Sequence, residues 1–162
     1  MLFNRIFSCN TDEPASSFKK VLPLQFISEL LEEMRNAMYT NFDKVRIFME
    51  VMGQEVKETP EFPSQDIIDL RLSLIEEEVA ELRAGVEAGD MVNVAKELTD
   101  ILYVVYGMGH SLGINLDACF EEVQQSNMSK LDDDGNPILR ESDGKVMKGP
   151  NYFEPDIESV IY

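Results

Sequence analysis

Basic residues, cysteines and histidines are all scarce in this chain. Lys and Arg together number 14 against 31 Asp and Glu, which gives a net charge of −17. So acidic a balance argues against a nucleic-acid-binding surface and against attachment to an anionic membrane. It leaves an anionic small substrate open, because a bound metal reverses the local field. The two cysteines, Cys9 and Cys119, match no metal or disulfide spacing and fit a reducing, cytoplasmic interior.

Long hydrophobic runs and a clear leader are missing as well. No apolar run reaches the ~18 residues of a membrane span. The first residues carry an Arg and some apolar side chains, but Asp12 and Glu13 interrupt them, so the stretch is a weak secretion or organelle signal. His110 is the only histidine. A structural role is favoured for it, since no Cys or Ser nucleophile accompanies it.

The length of 162 residues suits one domain with a core of its own. Residues 1–23 have poor periodicity and form an N-terminal extension, which leaves residues 24–162 as the domain. Apolar periodicity there predicts an all-α antiparallel bundle of four to five helices, followed by a short β-hairpin or loop tail around Asp143-Gly144. Five helices are expected. The first runs from about Leu24 to Tyr39, and the second from Phe42 to Met52 with Asn41 or Asp43 as its cap. The third runs from the cap Ser64 to the turn Ala88-Gly89-Asp90, the fourth from that turn to about Gly107–Gly113, and the fifth from Asn115 to about Ser129 with Leu116, Cys119, Phe120 and Val123 on its buried side.

Two of these helices carry carboxylates on the side that should be apolar. In LIEEEVAEL (Leu74 to Leu82), the 3.6-residue period places Glu78 in the middle of the apolar stripe and Glu81 toward one edge. In KELTDILYVVYG (Lys96 to Gly107), Glu97 lies among the apolar residues and Asp100 borders them. Matching pairs on two helices are harder to explain as a solvated acidic face than a single inward Glu.

Four inward carboxylates need compensation, because burying an isolated carboxylate costs several kcal/mol. Arg71 and Lys96 are the nearby basic side chains if the two helices pack side by side. A hard divalent cation, Mg²⁺ or Mn²⁺, bound through oxygen and keeping water for a substrate phosphate, satisfies the group most economically.

The acidic residues also resemble a family signature. Glu77-Glu78-x-x-Glu81 followed by Glu97-x-x-Asp100 resembles the motif of the MazG-like, all-α nucleoside triphosphate pyrophosphohydrolases, a superfamily that also holds the dimeric dUTPases and the phosphoribosyl-ATP pyrophosphohydrolases. SNMSK (Ser126 to Lys130) resembles the family's Asn-x-x-Lys element. DGKVMKGPNYFEPD (Asp143 to Asp156) looks like the phosphoribosyl-ATP pyrophosphohydrolase-like branch. The resemblance covers about Asn41 to Tyr162.

The resemblance implies a role for each matched residue. Magnesium would be held by four carboxylates, a fifth would bind a second ion or orient the attacking water, and polar and basic side chains would contact the substrate. It also implies a homodimer or homotetramer. The metal ligands would be Glu78, Glu81, Glu97 and Asp100, the catalytic carboxylate Glu77, the sugar or phosphate contacts Asn127, Lys130, Lys145 and Lys148, the nucleoside contact Tyr103, and the pocket lining Phe48, Gln54 and Arg71. Of these, Phe48 is favoured as a core residue instead.

Three functions remain open at this point. The first is Mg²⁺-dependent hydrolysis of a (deoxy)nucleoside triphosphate between the α and β phosphorus, giving the monophosphate and pyrophosphate, in clearance of unwanted nucleotides. The second keeps this chemistry with phosphoribosyl-ATP as substrate. The third is of another class, a non-catalytic acidic helical interaction module.

Overall fold

The computed structural model describes residues 39–162, together with residues 28, 29 and 32. The N-terminal extension and nearly all of the helix expected from Leu24 to Tyr39 lie outside the described residues. The chain divides into two compact units, Met1–Lys44 and Val45–Tyr162, and every site residue discussed below belongs to the second. The described elements confirm an all-α chain: α1 (Asn41–Val51), α2 (Gln65–Ala88), α3 (Met91–Leu112), α4 (Leu116–Met128) and α5 (Ile157–Ile161).

Helix α1 begins with a reciprocal cap. The expected cap was Asn41 or Asp43, but Thr40 holds that position and Asp43 lies three residues on. The Thr40 hydroxyl accepts from the Asp43 amide at 3.1 Å, and Asp43 Oδ2 accepts from the Thr40 amide at 2.9 Å. This capping box satisfies two amide groups that a helix start otherwise leaves unpaired. The helix stops at Gly53, which has a φ of +70°.

A tight turn folds α2 and α3 into an antiparallel hairpin. Gly89 ends α2 in the left-handed region at a φ of +67°. Asp90 then caps α3, its Oδ1 accepting from the amides of Val92 and Asn93 at 3.1 Å each. The helices approach closely at Gly85, where a Cβ would lie 2.9 Å from Asn93 Nδ2. The expected turn and antiparallel arrangement are therefore present.

The link between α1 and α2 runs against the far end of α3. The amides of Lys57 and Glu61 donate to the carbonyls of His110 and Leu112, each at 3.0 Å. Gly113 ends α3 with a φ of +69°, and a Cβ there would lie 2.1 Å from the Thr59 carbonyl oxygen. The link thus satisfies the last carbonyls of α3 at the end of the hairpin remote from the Gly89 turn.

The C-terminal tail folds back along α4. The Ser126 hydroxyl donates to the Phe153 carbonyl at 2.8 Å, and the Phe153 amide donates to Ser129 Oγ at 3.1 Å. Ser126 is buried, whereas Phe120, expected on the buried side of this helix, is 66 % exposed. Among the described residues, Ser126 is therefore the most buried side chain of α4, and the apolar side chains of this helix are less buried than its amphipathic pattern predicts.

The predicted tail hairpin is present only as a single β-bridge, without paired strands. Leu139 and Val146 form an isolated antiparallel bridge, and this is the extent of sheet pairing within residues 39–162. The turn is made at Gly144, which has a φ of +72°. The chain ends in the short helix α5, which the sequence pattern did not predict. None of the described helices combines the length and the apolarity that a membrane span requires.

Candidate metal centre

Three carboxylates from two helices meet on the α2–α3 hairpin. Glu78 and Glu81 of α2 and Glu97 of α3 each offer an oxygen that lies within 4.8 Å of the others. Their exposure is graded: Glu97 is 2 % exposed, Glu78 is half-buried, and Glu81 is exposed. The cluster therefore has a buried floor at Glu97 and an open side at Glu81. Glu78 and Glu81 are three residues apart and so share one face of α2, and that face meets Glu97 of the antiparallel helix α3, as the 3.6-residue period predicted.

Lys96 supplies the positive charge inside this cluster. Its Nζ lies 3.1 and 3.0 Å from the two oxygens of Glu97, 2.8 Å from Asp100 Oδ2 and 4.0 Å from Glu81 Oε2. Hydrogen bonds to Asp100 first, and then to Glu97, raise the pKa of Lys96. One ammonium faces four carboxylates, so ionised charge remains in excess. We call Glu78, Glu81, Glu97, Asp100 and Lys96 the acidic centre.

Glu78 carries the uncompensated charge of the acidic centre. Its Oε2 is buried and has no hydrogen-bond partner. Burial raises the pKa of Glu78, and repulsion from Asp100, Glu81 and Glu97 raises it further, against a smaller lowering by Lys96. Unpaired buried oxygens of this kind require a donor, a proton or a cation. An all-oxygen set with a free, inward oxygen fits a hard divalent cation such as Mg²⁺.

Glu77 and the aromatic residues lie around this centre. Glu77 is exposed, one residue before Glu78, and is not part of the three-carboxylate cluster. Tyr103 lies one turn after Asp100 on α3. Its ring meets the ring of Phe48 edge to face, with centroids 5.4 Å apart and planes at 82°. Both rings are partly exposed, so Phe48 is not a fully buried core residue, and burial raises the pKa of Tyr103.

Arg71 is buried two helical turns from Glu78, about 10 Å along the axis of α2. It is 8 % exposed. Its Nε donates to Ser111 Oγ and its Nη2 to Gln54 Oε1, each at 2.9 Å, and burial lowers its pKa. No carboxylate of the described residues forms an ion pair with it, so it does not neutralise the acidic centre. We call Arg71, Gln54 and Ser111 the guanidinium cluster.

Three of the four predicted phosphate contacts share one neighbourhood at the end of α4. Lys130 Nζ donates to Asn127 Oδ1 at 2.6 Å. Lys148 Nζ lies 2.5 Å from Glu154 Oε1 and 4.1 Å from the centroid of the Tyr152 ring. Hydrogen bonds from Lys148 and then Tyr152 lower the pKa of Glu154, and the charge of Lys130 lowers it further.

Lys145 stands apart from that neighbourhood, exposed on the tail hairpin. Lys96 was expected from sequence as one of the basic side chains near the carboxylates, and its contacts with two of them confirm that position. Ser111 was not assigned to the site from sequence. Ser111 lies four residues after Gly107, on the face of α3 that meets Arg71, but it comes 40 residues after its partner.

Two known proteins resemble this chain. A segment of 50 residues is 52 % identical to uncharacterized protein L479 of Acanthamoeba polyphaga mimivirus, covering 31 % of this chain and 20 % of that protein. A crystal structure of a candidate NTP pyrophosphohydrolase from Exiguobacterium sp. 255-15 aligns over 92 % of this chain and 85 % of its own, at 23 % identity. Its TM-score of 0.44 is too low to establish a common fold.

The family assignment comes from a sequence model. The model of the phosphoribosyl-ATP pyrophosphohydrolase family matches residues 45–127, which is just over half of the 162 residues. The matched region contains α2, α3 and every carboxylate of the acidic centre. The chain belongs to the phosphoribosyl-ATP pyrophosphohydrolase family, as its MazG-like acidic signature indicated.

Proposed function

We propose that this protein hydrolyses (deoxy)nucleoside triphosphates to the monophosphate and pyrophosphate in a Mg²⁺-dependent reaction, clearing unwanted nucleotides in the cytoplasm. The observation that carries the proposal is the convergence of Glu78, Glu81 and Glu97 inside the family-matched hairpin. The unpartnered, buried Glu78 Oε2 supports it, because a structural acidic face would hold its carboxylates in water.

The oxygen ligands fit magnesium, with manganese as a substitute. Glu78, Glu81, Glu97 and Asp100 would hold the ion, which supplies neutralisation of phosphate charge and a coordinated water of lowered pKa. Lys96 has to release the oxygens of Glu97 and Asp100 for this, and its largely exposed side chain leaves it free to rotate. The released ammonium is then available to a phosphate oxygen.

The remaining steps belong to side chains of this chain. Glu77 accepts a proton from the attacking water, whose oxygen bonds to the α-phosphorus while the bond from that phosphorus to the α–β bridging oxygen breaks. Pyrophosphate leaves with the electron pair, and Lys145 and Lys148 stabilise its charge. Lys148 must exchange Glu154 for phosphate. Asn127 and Lys130 contact the sugar or a phosphate.

A product assay tests the proposal. The protein is incubated with Mg²⁺ and a panel of nucleoside triphosphates, and pyrophosphate and orthophosphate are measured separately. Pyrophosphate in equal amount to monophosphate is expected, together with loss of turnover in Glu78→Gln. Glu87→Gln is the matched control, because Glu87 is exposed on α2 and lies outside the acidic centre. Release of orthophosphate alone contradicts the proposal.

Phosphoribosyl-ATP is the second candidate substrate, and the family match favours it. The bond broken is the same α–β anhydride, so the acidic centre serves both substrates equally. The ratio of kcat/KM for phosphoribosyl-ATP and for each triphosphate decides between them. If neither is hydrolysed and Glu78→Gln with Glu97→Gln leaves partner binding intact, the chain is a non-catalytic acidic helical module.

We further propose that the protein forms a homodimer or homotetramer. Leu98 and Leu102 lie one turn apart on α3 and are 50 % and 53 % exposed, and Phe120 on α4 is more exposed still. Side chains of this size exposed along two helices suit burial against a second copy. Light scattering on the purified protein gives the mass, and a monomer at all accessible concentrations contradicts this proposal.

A further inference from the structure

The guanidinium cluster fixes the orientation of a side-chain amide. A guanidinium has donors only, so the group of Gln54 that faces Arg71 Nη2 at 2.9 Å must be its carbonyl oxygen. The Nε2 amide therefore points away from Arg71. Gln54 is exposed, and among the hydrogen bonds within residues 39–162 none uses this amide as a donor. The chain thus presents two N–H donors at a defined place.

A glutamine is an unexpected partner for this arginine. Arg71 is buried and has no carboxylate partner among the described residues, so desolvation of its charge is offset only by neutral acceptors. A glutamate at position 54 would have the same size and would neutralise the guanidinium. What glutamine has and glutamate lacks is the outward N–H₂ group. Stability alone does not account for glutamine here.

Two partly exposed aromatic rings lie on the helix turns next to the residues that contact Arg71. The Arg71 guanidinium touches Met49 Sδ at 3.8 Å, and its Nη1 lies 3.0 Å from where a Cβ of Gly107 would be. Tyr103 is one turn before Gly107 on the same face of α3. Its partner Phe48 directly precedes Met49. Each ring is therefore carried on a helix within one turn of a residue that approaches the Arg71 guanidinium.

Along the α2–α3 hairpin, the Arg71 end and the Gly89 turn lie on opposite sides of the acidic centre. A nucleotide with its phosphates at the acidic centre extends its nucleoside either toward the Gly89 turn or toward Arg71. On the turn side the facing residues are Gly85 and Asn93, which offer no ring. On the Arg71 side, about 10 Å from Glu78, aromatic surface and a fixed donor are both present.

We propose that Gln54 is a specificity-determining residue that donates from Nε2 to an acceptor, a carbonyl oxygen or ring nitrogen, on the edge of a nucleobase packed against Phe48 and Tyr103. Arg71 is the positioning residue that holds the Gln54 carbonyl inward. This inference rests on the proposed function for the placement of the phosphates at the acidic centre. It adds the class of base recognised, one with an acceptor on the edge that faces the loop after α1.

The test compares base-dependent binding in three proteins. Calorimetry in Mg²⁺ buffer measures the affinity of nucleoside monophosphates and of ribose 5-phosphate, which has no base. The wild type is expected to bind at least one monophosphate more tightly than ribose 5-phosphate, and Gln54→Glu is expected to reduce that preference about tenfold. Gln65→Glu is the control with the same charge change, since within residues 39–162 the Gln65 side chain bonds to Asp69 alone, in the first turn of α2. It should keep the preference.

Thermal unfolding separates this effect from damage to the fold. Gln54→Glu supplies a carboxylate to Arg71, so its midpoint should equal or exceed that of the wild type while base binding falls. Gln54→Met, which lacks the donor without adding charge, should lose the same preference. Arg71→Lys, which keeps the charge but loses the forked donor geometry, should raise KM for nucleotides by a larger factor than it lowers kcat.

Each outcome decides the inference. A wild type that binds monophosphates no better than ribose 5-phosphate overturns it, as does an unchanged preference in Gln54→Glu and Gln54→Met. A wild type that shows the base preference but releases no pyrophosphate from any triphosphate overturns the proposed reaction and leaves the role of Gln54 standing.

Discussion

The acidic centre and the guanidinium cluster lie about 10 Å apart on the same helix pair and handle charge in opposite ways. The acidic centre places four carboxylates around one lysine and leaves Glu78 Oε2 buried without a partner. The guanidinium cluster encloses a single positive charge and satisfies it with the hydroxyl of Ser111 and the amide of Gln54. The two opposite charges are not paired with each other.

The contrast separates structural polar groups from functional ones. A buried charge that serves the fold is surrounded by donors or acceptors that complete its hydrogen bonds, as Arg71 is. A buried charge that awaits a ligand is left incomplete, as Glu78 is. Gln54 belongs to both kinds, because its carbonyl completes Arg71 and its N–H₂ group stays open.

The largest expected effect comes from removing the floor of the acidic centre. In Glu97→Gln the most buried ligand loses its charge, so Mg²⁺ binding weakens and pyrophosphate release falls about 100-fold or more. In Mg²⁺-free buffer this variant should remain folded, because the substitution removes one of the carboxylates that repel each other in the acidic centre. Steady-state assay and circular dichroism measure the two effects. Activity within twofold of the wild type would place the metal elsewhere, and Glu87→Gln again serves as control.

A substitution in the guanidinium cluster should change the free energy of unfolding and leave metal binding unchanged. Ser111→Ala leaves the buried Arg71 Nε without its acceptor, which should cost about 1–3 kcal/mol of unfolding free energy. Urea denaturation measures this, and Mg²⁺ affinity should not change. Ser73→Ala is the matched control, since Ser73 is exposed and, among the described residues, its hydroxyl bonds only to the Leu70 carbonyl of its own helix. A loss of Mg²⁺ affinity in Ser111→Ala would show that the two clusters are coupled.

Lys96 tests whether an internal cation competes with Mg²⁺ for the carboxylates of the acidic centre. Its ammonium occupies the position of a cation in the metal-free protein, so Lys96→Gln should lower the melting temperature without Mg²⁺ and strengthen Mg²⁺ binding about tenfold. Calorimetric titration of both proteins measures the affinity. If Mg²⁺ binding weakens instead, Lys96 supports the metal ligands and does not compete with the ion.

The smallest expected effect is on pH dependence. The folded-state pKa of Glu78 is raised, chiefly by burial, so the folded protein holds a proton there that the unfolded chain releases. Stability in Mg²⁺-free buffer should therefore rise as the pH is lowered toward the pKa of a glutamate in the unfolded chain, about 4.3, and Mg²⁺ affinity should fall over the same range because protons compete with the ion. Glu78→Gln should show a smaller change of both. Equal pH profiles would mean that the Glu78 oxygen is solvated.

The helices and the inward carboxylates could be predicted from local rules, and the guanidinium cluster could not. Glu78 and Glu97 follow from the 3.6-residue period, and the hairpin follows from the Gly89-Asp90 turn. Arg71 was identified as an inward cation, but its partners come from 17 and 40 residues away. No periodicity links such positions, because a buried side chain bonds to whatever the packing brings to it.

Two local predictions failed for different reasons. The cap at Thr40 was missed although Thr40 and Asp43 have the spacing of a capping box, so the signal was present in the sequence. The exposed Phe120 could not have been predicted from its own helix. Apolar periodicity predicts which face of a helix is apolar. Whether that face is buried depends on the tertiary or quaternary structure, which the periodicity does not predict.

The most direct test of the central claim is a calorimetric titration of Mg²⁺ into the wild type and into Glu97→Gln, without nucleotide. If the carboxylates of the two helices hold a divalent cation, the wild type should bind Mg²⁺ saturably and release protons on binding. The variant should have lost most of this affinity. Absence of binding to the wild type, or equal affinity in the two proteins, would contradict that claim.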